Sequence, residues 1–139
     1  MNERADVALA AGADGVHLPE SGLPVASARG LVGPDRLVGC SVHAADLLAA
    51  RAGADFVLFG PVWDTPAKRA FGAPQGLERL AAVARTSTVP VLAVGGVTPE
   101  RVSDVLRAGA SGVAVIGAIL DARDPGAAVA AFREALARG

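Results

Sequence analysis

Five short apolar runs punctuate the chain, at residues 15–18, 37–41, 56–60, 91–94 and 112–116, and each predicts a β-strand. The run 91–94 is four apolar residues with no polar alternation, the pattern of a strand covered on both faces in a parallel sheet. Between the runs, amphipathic segments predict helices over 5–11, 24–31, 44–52, 77–85 and 100–108. Asp124 and Pro125 read as the cap and first position of a C-terminal helix whose apolar face carries Val129, Phe132 and Leu136. Thr98 and Pro99 offer the same kind of helix start directly after Gly95 and Gly96.

A short pattern recurs at residues 11–16, 52–57 and 108–113: Ala-Gly-Ala-Asp-Gly-Val, Ala-Gly-Ala-Asp-Phe-Val and Ala-Gly-Ala-Ser-Gly-Val. Each copy reads as a helix end closed by a left-handed glycine, a turn made by Asp or Ser, and the start of a strand. A joint used three times implies repeated βα units with right-handed crossovers. A (β/α)8 barrel needs eight strands. Five predicted strands therefore leave two expectations, an open sheet or a partial barrel whose N-terminal part is missing.

Composition narrows the class. With 139 residues, 52% of them hydrophobic, residues 1–139 make one domain with a real core rather than a disordered chain. The net charge of −1 speaks against a general binder of nucleic acid or of anionic membranes. The single cysteine, Cys40, excludes an internal disulfide and fits a reducing cytoplasm, the expected location. No apolar run approaches the roughly 20 residues of a membrane span, and residues 1–4 lack the apolar core of a signal peptide.

Candidate chemistry gathers in two places. The irregular segment 61–76 carries Trp63, Asp64, Thr65, Lys68 and Arg69, and long loops in compact domains are commonly functional. The Gly95-Gly96 pair ends a buried strand, where bare backbone lets a ligand approach and its N–H groups can hold a phosphate; a ligand-free tight turn needs the same residues. His17 ends a strand and His43 begins a helix, which would let both face the mouth of a barrel, though buried or capping histidines are the commoner case. Cys40 reads as a small core residue. Trp63 suits either stacking on a ligand or pinning its loop. Lys68 and Arg69 suit a phosphate clamp or plain solvation, and Glu20 and Asp64, which follow different strands, suit either acid chemistry or the commoner case of exposed loop carboxylates.

The ordered series Asn2-Glu3-Arg4, Asp14-Gly15-Val16-His17-Leu18, Gly39-Cys40-Ser41-Val42-His43, Phe59-Gly60-Pro61-Val62 with Thr65 and Lys68, Val94-Gly95-Gly96-Val97-Thr98 and Val113-Ala114-Val115-Ile116 resembles the thiamin phosphate synthase/TenI superfamily. The resemblance covers essentially the whole chain. It implies a (β/α)8 barrel, entered here at the end of the third strand, so that the first three strands are missing. It further implies condensation of a hydroxymethylpyrimidine diphosphate with thiazole phosphate to give thiamin phosphate and pyrophosphate, with magnesium. By that comparison Asn2, Ser41 and Lys68 meet the pyrimidine diphosphate, Ser41 and Lys68 in the catalytic role. Thr65, Gly96, Ile116 and Gly117 meet the thiazole phosphate, and Glu3 takes the first magnesium position. The second magnesium position is Gly22, which has no ligand to offer; a phosphate-loop threonine is Ala67 and a phosphate-site serine is Gly117. The sister branch, TenI-like thiazole tautomerases, moves a proton without metal, and its catalytic histidine corresponds to Pro61. A non-catalytic phosphate-binding or regulatory remnant is the third alternative. Partners implied are phosphorylated small molecules, with a homodimer or an N-terminal half-barrel partner completing the sheet.

Overall fold

The computed structural model describes residues 1–65 and 73–139. In chain order the elements are α1 (Ala5–Ala10), β1 (Gly15–Leu18), α2 (Val25–Val32), β2 (Leu37–Val42), a 3₁₀ segment (Ala45–Arg51) and β3 (Phe56–Phe59). They continue with α3 (Gly76–Thr86), β4 (Val91–Val94), a 3₁₀ turn (Pro99–Arg101), α4 (Val102–Arg107), β5 (Gly112–Ala114), α5 (Gly117–Leu120) and α6 (Pro125–Arg138). The strands form one sheet of five in the order β1-β2-β3-β4-β5, and every neighbouring pair is parallel. Helical crossovers that join adjacent strands of a parallel sheet are what repeated βα units require.

The three repeated joints fold alike. Gly12, Gly53 and Gly109 take φ of 62°, 88° and 93°, the left-handed conformation that closes a helix and that side chains resist. Backbone pairing with a neighbouring strand begins at once, through Leu37 N–H to Asp14 C=O, Asp55 N–H to Val38 C=O and Ser111 N–H to Val91 C=O. One joint is reinforced: the Asp55 carboxylate accepts from the Val38 N–H at 2.6 Å and from the Arg29 guanidinium at 2.6 Å. Burial alone would raise the Asp55 pKa, but these two donors outweigh it and hold the carboxyl below its ordinary value.

Strand alternation decides the core. Val16, Leu18, Val38, Cys40, Val42, Val57, Phe59, Val91 and Ala93 are buried against helical residues such as Ala8, Val25, Ala28, Leu80 and Val83. Each large apolar side chain buried this way contributes up to about 1.5–3 kcal/mol. The alternate residues His17, Ser41, Leu58, Leu92 and Val94 are only half-buried. The expectation that 91–94 is covered on both faces is therefore corrected: helices close the Val91–Ala93 face, and the Leu92–Val94 face is partly open. Cys40 is a fully buried core residue, as expected, and burial pushes its thiol pKa up.

Other elements differ from expectation at their ends or in type. Segment 44–52 is a 3₁₀ segment instead of an α-helix, and 100–108 opens with the 3₁₀ turn Pro99–Arg101 before α4 begins. The Thr98 hydroxyl gives no cap bond to the helix; it meets the Glu100 carboxylate and, as the leading cause, holds that carboxyl below its usual range. The strand expected at 112–116 stops at Ala114, because α5 starts at Gly117. In α6 Asp124 caps as expected, accepting from Ala127 N–H at 3.0 Å. The buried face, however, carries Phe132 and Ala135, while Val129 and Leu136 stay 39% and 37% exposed. Phe132 joins a second small core with Val97 and Val102, and the small Ala135 lets α6 approach it closely.

Candidate functional site

The carboxyl ends of β1 and β2 bring together polar side chains from distant parts of the chain. Parallel register pairs His17 with Gly39, which leaves Ser41 two residues further along the same face of β2. The His17 Nε2 and Ser41 Oγ lie 2.9 Å apart, a hydrogen bond across the strand ends. The His17 ring also stacks on Phe56, with centroids 6.2 Å apart. Asn2 forms a parallel bridge to His17, through Glu3 N–H to His17 C=O at 2.8 Å and His17 N–H to Met1 C=O at 2.7 Å. Asn2, His17 and Ser41 thus occupy one neighbourhood. Residues 1–3 run along the outer edge of β1.

Just beyond the same two strands, His43 Nδ1 contacts the Glu20 carboxylate, and Arg51 donates to the Glu20 carbonyl. Both Glu20 and His43 remain more than a third exposed. A carboxylate that fixes one ring nitrogen orients the other, an arrangement suited to moving a proton.

The magnesium expectation meets a poor donor set. Glu3 is exposed, with φ of 63°, and is the single carboxylate at its position, while Gly22 offers no side-chain oxygen. Among the described residues no group of three His, Cys, Asp or Glu side chains gathers closely enough to hold a metal ion. The described residues do not fit a two-carboxylate magnesium site.

A second group of expected residues meets at the carboxyl ends of β4 and β5. Thr65, Gly96, Ile116 and Gly117 all line one cavity of about 250 Å³, together with Val97 and Asp121. Its back wall is built by close backbone approach. Gly95 and Gly96 take φ of 94° and 66°, and a methyl on Gly96 would fall 2.7 Å from Trp63 Cβ and 3.0 Å from the Asp64 carbonyl oxygen. The segment 61–65 lies directly on this turn, with Val62 N–H bonded to Val94 C=O at 2.9 Å and Trp63 N–H to Gly95 C=O at 3.1 Å. Arg101 donates to Gly96 C=O at 2.7 Å and stacks its guanidinium 4.8 Å from the Trp63 ring centroid. Trp63 is therefore a loop anchor, packed against both cores. A larger groove of about 370 Å³ lies at the amino ends of β3 and β4, lined by Leu48, Ala52, Gly53, Ala54 and Val89. Sites in βα repeat folds sit at the carboxyl ends, which singles out the smaller cavity.

The expected site residues thus fall into two clusters: Asn2 and Ser41, with Glu3 beside them, at β1–β2, and Thr65, Gly96, Ile116 and Gly117 at β4–β5. Lys68, with Ala67 and Arg69, lies outside the described residues. Sequence reasoning missed Arg101 and Asp121 altogether, and it missed the pairing of His17 with Ser41. The last was accessible from strand register; the first two depend on how the turns after β4 and β5 close.

A consecutive parallel sheet with polar side chains and a glycine-walled cavity at its carboxyl edge defines a βα-repeat protein of the TIM-like class. The model of the thiamine monophosphate synthase family matches residues 1–119, and the chain belongs to that family. It is 50% identical to a putative thiamine-phosphate synthase of Geobacter sulfurreducens over 90% of this chain and 60% of that protein. It is 45% identical to a thiamine-phosphate synthase of a Roseiflexus species over 99% of this chain and 59% of that protein. Among solved structures, a thiamine phosphate pyrophosphorylase from Pyrococcus furiosus superposes with a TM-score of 0.86 at 34% identity, covering 99% of this chain and 66% of that one. The chain thus spans about three fifths of the length of these two curated relatives. No helix among the described residues is long and apolar enough to cross a membrane.

Proposed function

We propose that the chain supplies the thiazole phosphate site, and part of the pyrimidine diphosphate site, of a thiamin phosphate synthase built on an arc of a (β/α)8 barrel. The observation that carries this reading is the meeting of Thr65, Gly96, Ile116 and Gly117, from three separate loops, around one cavity of about 250 Å³. That volume suits a small phosphorylated ring, and bare backbone on the glycine wall lets N–H groups reach phosphate oxygens. Sequential parallel strands and the close superposition on the Pyrococcus enzyme support the barrel arc.

In this reading the thiazole phosphate anchors at the β4–β5 end, and the diphosphate lies over β1–β2 near Ser41 and Asn2. The two clusters are about two to three strand spacings apart, roughly 10–15 Å, a distance two linked rings with a phosphate can span. The pyrimidine C–O bond breaks, pyrophosphate leaves, and the thiazole nitrogen captures the carbocation. Ser41, its hydroxyl oriented by His17, steadies the charge that develops on the leaving group, and Lys68 would add a cation. No step is routed through magnesium, because Glu3 stands without a second carboxylate and Gly22 offers no ligand. The outer edge of β5 offers free pairing to further strands, whether of the same protein, a second copy or a half-barrel partner. The test is calorimetry with thiazole phosphate beside a thiamin phosphate assay with both substrates. Ser41→Ala should lose product and keep thiazole phosphate binding, whereas Thr65→Ala should weaken binding; no binding by the unaltered chain contradicts the proposal.

The contact between Glu20 and His43 favours a second reading, a tautomerase that moves a proton on a thiazole carboxylate phosphate. Pro61 stands where that branch carries its histidine, and an imidazole held by a carboxylate at the same end of the sheet replaces it. Exchange of substrate protons in deuterium oxide, lost in His43→Asn, would support this reading; exchange no faster than in buffer rejects it. Binding with neither product nor exchange would leave a non-catalytic phosphate-binding protein.

A further inference from the structure

We infer that Arg101 is the positioning residue of the cavity at the carboxyl ends of β4 and β5, setting its width by tying two of its walls together. The inference rests on the phosphate reading of that cavity. One wall is the turn after β4, represented by Gly96; another is the loop after β3, represented by Thr65. These walls belong to different βα units, and neither Arg101 nor Trp63 lines the cavity itself. Arg101 nevertheless reaches both. It donates to Gly96 C=O at 2.7 Å, and its guanidinium covers the ring of Trp63, two residues before Thr65, at 4.8 Å.

The consequence for a ligand follows from peptide geometry. The Gly96 C=O and the Val97 N–H belong to one planar peptide and point to opposite sides of it. Holding the carbonyl on Arg101 fixes the direction of that N–H, and Val97 lines the cavity. The same side chain keeps Trp63 pressed on the turn, where a gap of one methyl group is already excluded. Only arginine can do both at once, because its planar fork donates in plane while its face stacks on an aromatic ring.

Trp63 is the one tryptophan of the chain, so its emission reports this contact directly. The experiment titrates the 139-residue chain with inorganic phosphate, following Trp63 fluorescence and heat in parallel, for the unaltered chain, Arg101→Gln and Arg101→Lys. Phosphate should alter the Trp63 emission of the unaltered chain saturably. Arg101→Gln should weaken binding by about tenfold or more and abolish the emission response, and Arg101→Lys should fall between the two. A merely structural staple would lower the melting temperature of Arg101→Gln and leave phosphate affinity unchanged, which overturns the inference while the cavity reading stands. Should Arg101→Gln fail to fold, Arg101→Lys decides: a loss of about threefold or more supports the inference, and unchanged affinity overturns it. Failure of the unaltered chain to bind phosphate overturns the cavity reading and the inference with it.

Discussion

Gly12→Ala and Gly96→Ala make nearly the same demand on the backbone and differ in what the new methyl meets. The native φ values are 62° and 66°, both left-handed, where an L side chain costs roughly 1–2 kcal/mol. Around Gly12 nothing lies within 4 Å of the added carbon. At Gly96 the carbon falls 2.7 Å from Trp63 Cβ and 3.0 Å from the Asp64 carbonyl oxygen. Neither neighbour is the free end of a flexible side chain. Trp63 is held by its N–H on Gly95 C=O and by the Arg101 stack, so relief requires backbone movement. Overpacking of that kind costs about 1–3 kcal/mol. Gly12→Ala should therefore lose roughly 1–2 kcal/mol and Gly96→Ala roughly 2–5 kcal/mol. Urea denaturation with equal slopes reads the difference as a shift in midpoint. Phosphate titration adds a second readout, which only Gly96→Ala should disturb. Equal losses of stability in the two variants, with binding intact, would refute the close packing of segment 61–65 on the glycine turn.

Three further outcomes follow from the same geometry. Asp55→Asn should cost about 1 kcal/mol at neutral pH, after allowance for a carboxylate that is 38% exposed. The folded pKa of Asp55 is depressed, so its contribution is present above the unfolded value near 3.9 and lost as pH falls through the folded value. The gap to the variant should close in acid below about pH 4, and a gap that persists there contradicts the assignment. Asp121→Asn should tighten phosphate binding about fivefold at low salt and less at high salt, since its carboxylate lines the cavity and repels an anion; titrations at two ionic strengths check this, and no change at low salt speaks against phosphate in that cavity. Cys40 is fully buried with a raised thiol pKa, so a thiol reagent should label it only as fast as the chain opens, and rapid labelling without denaturant would contradict its place in the core.

Much of the fold was readable from local pattern. Strand β4 falls on the apolar run 91–94, and β1 on 15–18, because short runs bounded by Ala-Gly-Ala joints and glycines leave little freedom in register. Helix type was less readable. Residues 45–51 form a 3₁₀ segment, and their composition of Ala, Leu, Asp and Arg suits an α-helix as well. The buried face of α6 depended on which partner Phe132 meets, a tertiary fact. Within the candidate site, Thr65, Gly96, Ile116 and Gly117 were named through family resemblance, and their convergence on one cavity agrees with that naming without testing their roles. Arg101 left no signal, since a cation one turn past a glycine pair is common on exposed helix starts. What distinguishes it is the Trp63 ring 38 residues earlier, brought across by the pairing of segment 61–63 with the end of β4. The contact between Glu20 and His43 was equally invisible, because they lie 23 positions apart with α2 and β2 between them.

The most direct test of the central claim is heteronuclear NMR mapping of backbone amides during titration with thiazole phosphate. Saturable shifts should centre on Gly96, Val97 and Gly117, with Ala52 and Val89 in the groove at the opposite end of the sheet unmoved. Shifts centred on that opposite groove, or no shifts anywhere, would contradict the claim.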